Sequence, residues 1–170
     1  VAMTTSASLL PTELLAAGAV CGDRLIERGE TVGVAEGSAG GLISAALLAR
    51  PGASGYFLGG GVIYTRKALD GLLTGKIERP RKLRGASEPW ALHLARGALA
   101  HIGSTWGIGE GGAAGPSGNG YGDPSGHGWV AVAGPQEASR HILTGSDDRL
   151  TNMVAFAVGA LEVLATQLES

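Results

Sequence analysis

The sequence predicts an α/β sandwich, a sheet covered by helices, read as one domain over residues 1–170. Two observations carry this reading. Short apolar runs of strand character alternate along the chain with longer segments of helical periodicity. Glycine supplies 30 of the 170 residues and clusters at Gly37–Gly41, Gly59–Gly61 and Gly107–Gly128, between those segments. Such clusters mark tight turns and places where backbone approaches a ligand.

The elements follow in order. Pro11–Arg28 reads as a helix: Pro11 suits a first turn, Leu14, Leu15, Val20, Leu25 and Ile26 can share an apolar face, and Gly29 stops it. Thr31–Ala35 is a short buried strand, Glu36–Gly41 a glycine-rich turn, and Leu42–Leu48 the next helix, ended before Pro51. Gly60–Tyr64 is a second strand, followed by a helix across Lys67–Leu73. Ser87 has the features of an N-cap for a helix running to about Ile102 and stopping at Gly103. Ser104–Gly109 is a weak strand, Gly128–Ala133 a clearer one, and Arg140–Leu143 another candidate. Leu150–Leu168 is a strongly apolar terminal helix.

Composition narrows the function. The hydrophobic content of 44% and charged content of 16% suit a folded globular chain. A net charge of -2 gives no footprint for nucleic acid, and the densest basic run, Lys76–Arg84, reads as a solvated loop and helix start. Cys21 has no disulfide partner and is expected to pack as a small apolar residue inside a helix. The four histidines show no ligand spacing, so neither metal nor cofactor is expected. No signal-peptide pattern and no bilayer-length apolar stretch is read, so the expected location is cytoplasmic, away from membranes.

Three segments could carry chemistry. In Thr31–Leu48 a strand passes through a glycine-rich turn into a helix. Free N–H groups there favour an anion, Gly37, Gly40 and Gly41 allow close approach, and Ser38 adds a hydroxyl. The same turn could be a tight connection without a ligand. In Gly52–Leu73, Tyr64 falls at a strand end and could donate a hydrogen bond or relay a proton, or be a half-buried edge tyrosine. Glu110–Gly134 is read as a long glycine-rich loop. Its polar candidates Glu110, Asp123 and His127 each read singly as solvated loop residues.

Taken together, the segments resemble the C-terminal domain of the CinA family, the competence/damage-inducible proteins with nicotinamide-nucleotide amidohydrolase activity. The family motif A-E-S-C-T-G-G is matched by AEGSAGG at residues 35–41, and G-S-S-x-x-F by Gly52–Phe57. G-x-V-x-Y-S-N-E-A-K is matched in part by Gly60–Leu69, and G-A-V-S-E-E by Gly85–Glu88 with one residue missing. G-I-A-G-P resembles Gly112–Pro116, and the later K-P-V-G-x-V-x-x-A resembles Asp123–Ala131. The resemblance implies a three-layer α/β/α sandwich. It also implies hydrolysis of nicotinamide mononucleotide to nicotinic acid mononucleotide and ammonia, a step of NAD salvage in the pyridine nucleotide cycle. The implied ligand is a pyridine mononucleotide or another phosphate-containing molecule held by Glu36, Gly37, Ser38, Gly40, Gly41, Tyr64, Gly112, Gly115 and Pro116. A homo-oligomer is an open possibility.

The family reaction is assigned to the motif's serine, with a lysine and tyrosine close by. Here Gly37 stands at the serine position and Leu69 at the lysine position, while Tyr64 matches the tyrosine. Ser38 lies one residue late, and Lys67 lies three residues after Tyr64 where the family lysine lies five after. Ser38 and Tyr64 are therefore the catalytic candidates. A Ser38–Lys67 pair requires the backbone to differ from the family's. Three readings stay open: an amidohydrolase with a rearranged site, a catalytically silent mononucleotide or phosphate binder, and a structural or regulatory subunit.

Overall fold

The computed structural model describes residues 8–73 and 82–169, and the basic residues Lys76–Arg81 fall outside it. Helix α1 (Thr12–Arg28) leads into strand β1 (Val32–Glu36), helix α2 (Leu42–Leu48) and strand β2 (Phe57–Val62). Helices α3 (Arg66–Leu72) and α4 (Glu88–Ile102) follow. Strands β3 (Trp106–Ala113), β4 (His127–Ala133) and β5 (Ala138–Leu143) precede helix α5 (Arg149–Gln167). The strands form one sheet in the order β2-β1-β3-β4-β5. β2, β1 and β3 run parallel, and β4 and β5 add to β3 antiparallel.

Helices cover both faces, as the three-layer expectation requires. On one face Val34 and Ile108 meet Leu14 and Leu25 of α1, Ile43 of α2, and Phe156 and Leu161 of α5. On the other, Ala35 and Ile63 meet Leu69 of α3 with Leu94 and Ala98 of α4. Caps set the helix starts. Ser87 accepts the Trp90 N–H and Thr65 accepts the Ala68 N–H (3.1 Å). Cys21 is buried in α1, where its thiol donates to the Leu161 carbonyl (3.1 Å) and burial pushes its pKa up to about 12.

Three expectations need correction. The segment from Glu110 is not all loop, because Glu110–Ala113 completes the buried strand β3. The glycines of that strand serve packing: a Cβ at Gly107 or Gly109 would strike the Ala95 or Ala91 carbonyl of α4. The helix lies so close that only a bare backbone fits beneath it. The second strand spans Phe57–Val62, earlier than Gly60–Tyr64, so Tyr64 lies beyond it, in the connection to α3. Finally, α5 has the length and mean hydropathy (19 residues, 1.3) of a segment that could cross a bilayer. Its buried side, including Phe156, Ala160 and Leu164, packs within the core formed on the sheet.

Candidate functional site

Two glutamates organise the β1–α2 connection. Glu36 and Glu110 are in-register neighbours on parallel strands and both are fully buried. Their register places both on the face covered by α2. Glu36 caps that helix. One of its carboxylate oxygens accepts the N–H groups of Gly41 (2.9 Å) and Ile43 (3.0 Å), and the other accepts the Ser44 N–H (3.0 Å) and hydroxyl (2.7 Å). The helix start thus holds an internal anion. The N–H groups expected to greet a phosphate there are already occupied.

Glu110 does the same for the turn. Its Oε2 accepts from the N–H groups of Gly37 (2.9 Å) and Ala39 (2.8 Å), and its Oε1 accepts the Ser38 hydroxyl. Burial pushes the Glu110 carboxyl up to about 7. The hydrogen bonds from Ser38 and Ala39 oppose that rise, and the neighbouring Glu36 charge adds to it.

This has a consequence for stability. Between 4.5, the ordinary value, and about 7, folded Glu110 keeps a proton that the unfolded chain has released. The stability this group contributes is therefore complete below pH 4.5 and is lost as pH rises through 7. The loss amounts to about 3 kcal/mol. Urea unfolding of the wild type and of Glu110→Gln at pH 4.5 and pH 8 isolates it, because the other carboxylates are common to both. The wild type should lose about that much more than the variant. Equal losses would mean that Glu110 titrates as it does in water.

A cleft of about 350 Å³ opens beside this turn. The chain leaves β1 toward one face of the sheet and β2 toward the other, and a crevice forms at the carboxyl ends of strands that diverge in this way. Gly37 and Ser38 of the turn line it together with Tyr64, Arg66 and Leu69. Trp90, Gly111 and Gly112 close the side toward α4 and β3, and Asn119 and Tyr121 come from the loop after β3. Ser38 is only 6% exposed, whereas Tyr64 is 63% exposed and its phenol oxygen accepts from Arg149 (3.2 Å). Leu69 is 6% exposed and packs on Leu94 and Ala98. A wider groove of about 770 Å³ runs between β5 and α5, and none of the candidate residues lines it.

The cleft brings together Gly37, Ser38, Tyr64 and Gly112 of the residues named from sequence. It leaves out the others. Glu36 is turned into α2, and Gly40 and Gly41 belong to the start of that helix. Gly115 and Pro116, joined by a cis peptide, lie past the cleft, where the Gly115 carbonyl accepts from Arg149 (2.6 Å). Lys67 is exposed on α3 and does not line the cleft, so no Ser38–Lys67 pair forms. Asp123 pairs with Arg84, and His127 bonds the Ala86 carbonyl (2.8 Å), so both brace the wall from outside. Sequence reading missed Glu110 as the partner of Ser38, together with Trp90, Tyr121 and Arg66. The one available signal for Glu110 was a carboxylate among the small and apolar residues of WGIGEGGA.

Among known proteins, the model of the CinA C-terminal domain matches residues 16–168. A CinA-like protein from Synechocystis is 39% identical over 130 residues, covering 76% of this chain and 31% of that protein. Another from Gloeothece citriformis is 35% identical over 152 residues, covering 88% of this chain and 36% of that protein. The chain thus spans about a third of the length of these relatives. The crystal structure of the competence/damage inducible protein CihA from Agrobacterium tumefaciens superposes with a TM-score of 0.85 at 27% identity, over 96% of this chain and 100% of that one. Motif order, layer architecture and these matches agree: the chain belongs to the CinA C-terminal domain family.

Proposed function

We propose that the cleft binds a pyridine mononucleotide, or a closely related phosphate-bearing ligand, in the cytoplasm, and that the family's serine–lysine amidase machinery is lost. The observation that carries this is the make-up of the cleft wall. Aromatic rings (Trp90, Tyr121) suited to stack on a planar base and a cation (Arg66) suited to a phosphate surround positions 37 and 69, which hold a glycine and a buried leucine. The polar lining suits an NAD-salvage intermediate. The two positions that the family chemistry uses offer neither a nucleophile nor a base.

Calorimetric titration with nicotinamide mononucleotide tests the binding. Replacing Trp90 by alanine removes the stacking surface and should weaken affinity about tenfold or more, a loss of roughly 1.4 kcal/mol. Arg66→Ala should weaken binding of the mononucleotide but leave binding of the phosphate-free nucleoside unchanged. Equal affinity in all three proteins would place the ligand elsewhere.

A further inference from the structure

We propose that Ser38 and Glu110 form a nucleophile–base pair, giving the cleft an acyl-transfer chemistry toward small esters and amides that does not use the family's serine–lysine pair. The inference rests on the reading of the cleft as a small-ligand site. A latch for the turn needs only an acceptor for the Gly37 and Ala39 N–H groups, and Oε2 alone supplies it. The second oxygen, Oε1, accepts the hydroxyl of Ser38, a residue that lines the cleft. The Ser38 N–H donates to no described residue, leaving it available to a developing oxyanion. A carboxylate this buried, with a pKa near 7, holds a proton readily yet is half ionised at neutral pH, which suits a general base.

The step balances without a co-reactant beyond water. Glu110 Oε1 takes the Ser38 proton as Oγ bonds the acyl carbon and the carbonyl electron pair moves onto its oxygen. Collapse of that adduct expels the amine or alkoxide, which leaves with the proton from Glu110. Water then adds to the acyl–serine ester with Glu110 again as base, releasing the acid and restoring Ser38. Nicotinamide mononucleotide placed as the family places it would be a poor substrate, because the hydroxyl stands one residue beyond the family serine.

A dialkyl fluorophosphate probe tests the pair, read by intact mass and peptide mapping. The expected result is a single adduct on Ser38, absent in Ser38→Ala and formed at least a hundredfold more slowly in Glu110→Gln. The wild type needs no variant for its own test. Its labelling rate should rise with pH to a plateau, with a midpoint near 7. An adduct on another residue, no adduct at all, or a rate that climbs with hydroxide through pH 10 without a plateau would overturn the proposal. Nicotinamide mononucleotide added as a competitor separates the two readings. Labelling of Ser38 that the mononucleotide does not slow would leave the pair standing and remove the mononucleotide from the cleft.

Discussion

Incubated with nicotinamide mononucleotide, the purified protein should release ammonia and nicotinic acid mononucleotide well below about one turnover per second, the lower end of ordinary enzyme rates. Covalent amide hydrolysis needs a nucleophile and a proton acceptor within reach of each other. At position 37 there is no side chain, and at position 69 a leucine is packed on Leu94 and Ala98. Removing both members of such a unit costs on the order of a millionfold, and the losses do not add. The double change Gly37→Ser with Leu69→Lys is the constructive counterpart. A Cβ at position 37 would sit 3.3 Å from the Glu110 carbonyl oxygen and 3.6 Å from that of Ile63, so a serine fits after a small shift. The lysine would give up apolar packing but has the cleft to reach into. A measurable gain over the parent shows that the pocket still orients the family substrate. A parent rate of one per second or faster contradicts the loss of the amidase machinery.

Replacing Gly109 by valine should cost about 3 kcal/mol or more in urea unfolding, enough to threaten folding of a domain of this size. Two effects oppose each other at this position. Valine has high strand propensity and glycine low, which by itself favours the variant by up to about 1 kcal/mol. Against that, the new Cβ would collide with the Ala91 carbonyl and the Ala95 N–H of α4. These are backbone atoms of a packed helix, which a rotamer change cannot move aside. Overpacking wins, because α4 is pressed onto the sheet at Ala91, Ala95 and Ala98, all fully buried. A stability within 0.5 kcal/mol of wild type, or above it, would mean that α4 lifts off the sheet freely.

The same glycines explain where the sequence misled. Gly111 and Gly112 read as loop, and Gly107 and Gly109 as part of a weak strand only, because their number exceeds what a strand normally tolerates. Their cause is packing by distant parts of the chain, α4 on Gly107, Gly109 and Gly111 and the β4 backbone with Phe156 on Gly112, and no local pattern carries that information. Elements with local causes were legible. Ser87 and Gly103 bound α4 as read, Leu42–Leu48 is helical over its whole length, and the terminal helix is displaced by a single residue at each end. The candidate site divides in the same way. The glycine-rich turn and Tyr64 stand out in sequence because turn chemistry is local. That Glu110 would take up the Ser38 hydroxyl depends on β1 and β3 lying side by side with partners 74 positions apart, whereas the Glu36 cap on α2 reaches only five to eight residues along the chain. The N–H groups of Gly37, Ala39, Gly41, Ile43 and Ser44, which the sequence offered to a ligand, are taken by the protein's own carboxylates.

Backbone amide shifts of ¹⁵N-labelled protein during titration with nicotinamide mononucleotide report directly whether the mononucleotide occupies the cleft. Ser38, Tyr64, Gly111, Gly112 and Tyr121 should shift together and saturate with one affinity, while Gly41 and Ile43, held by Glu36, move little. Shifts confined to the groove between β5 and α5, or largest at the start of α2, would contradict it.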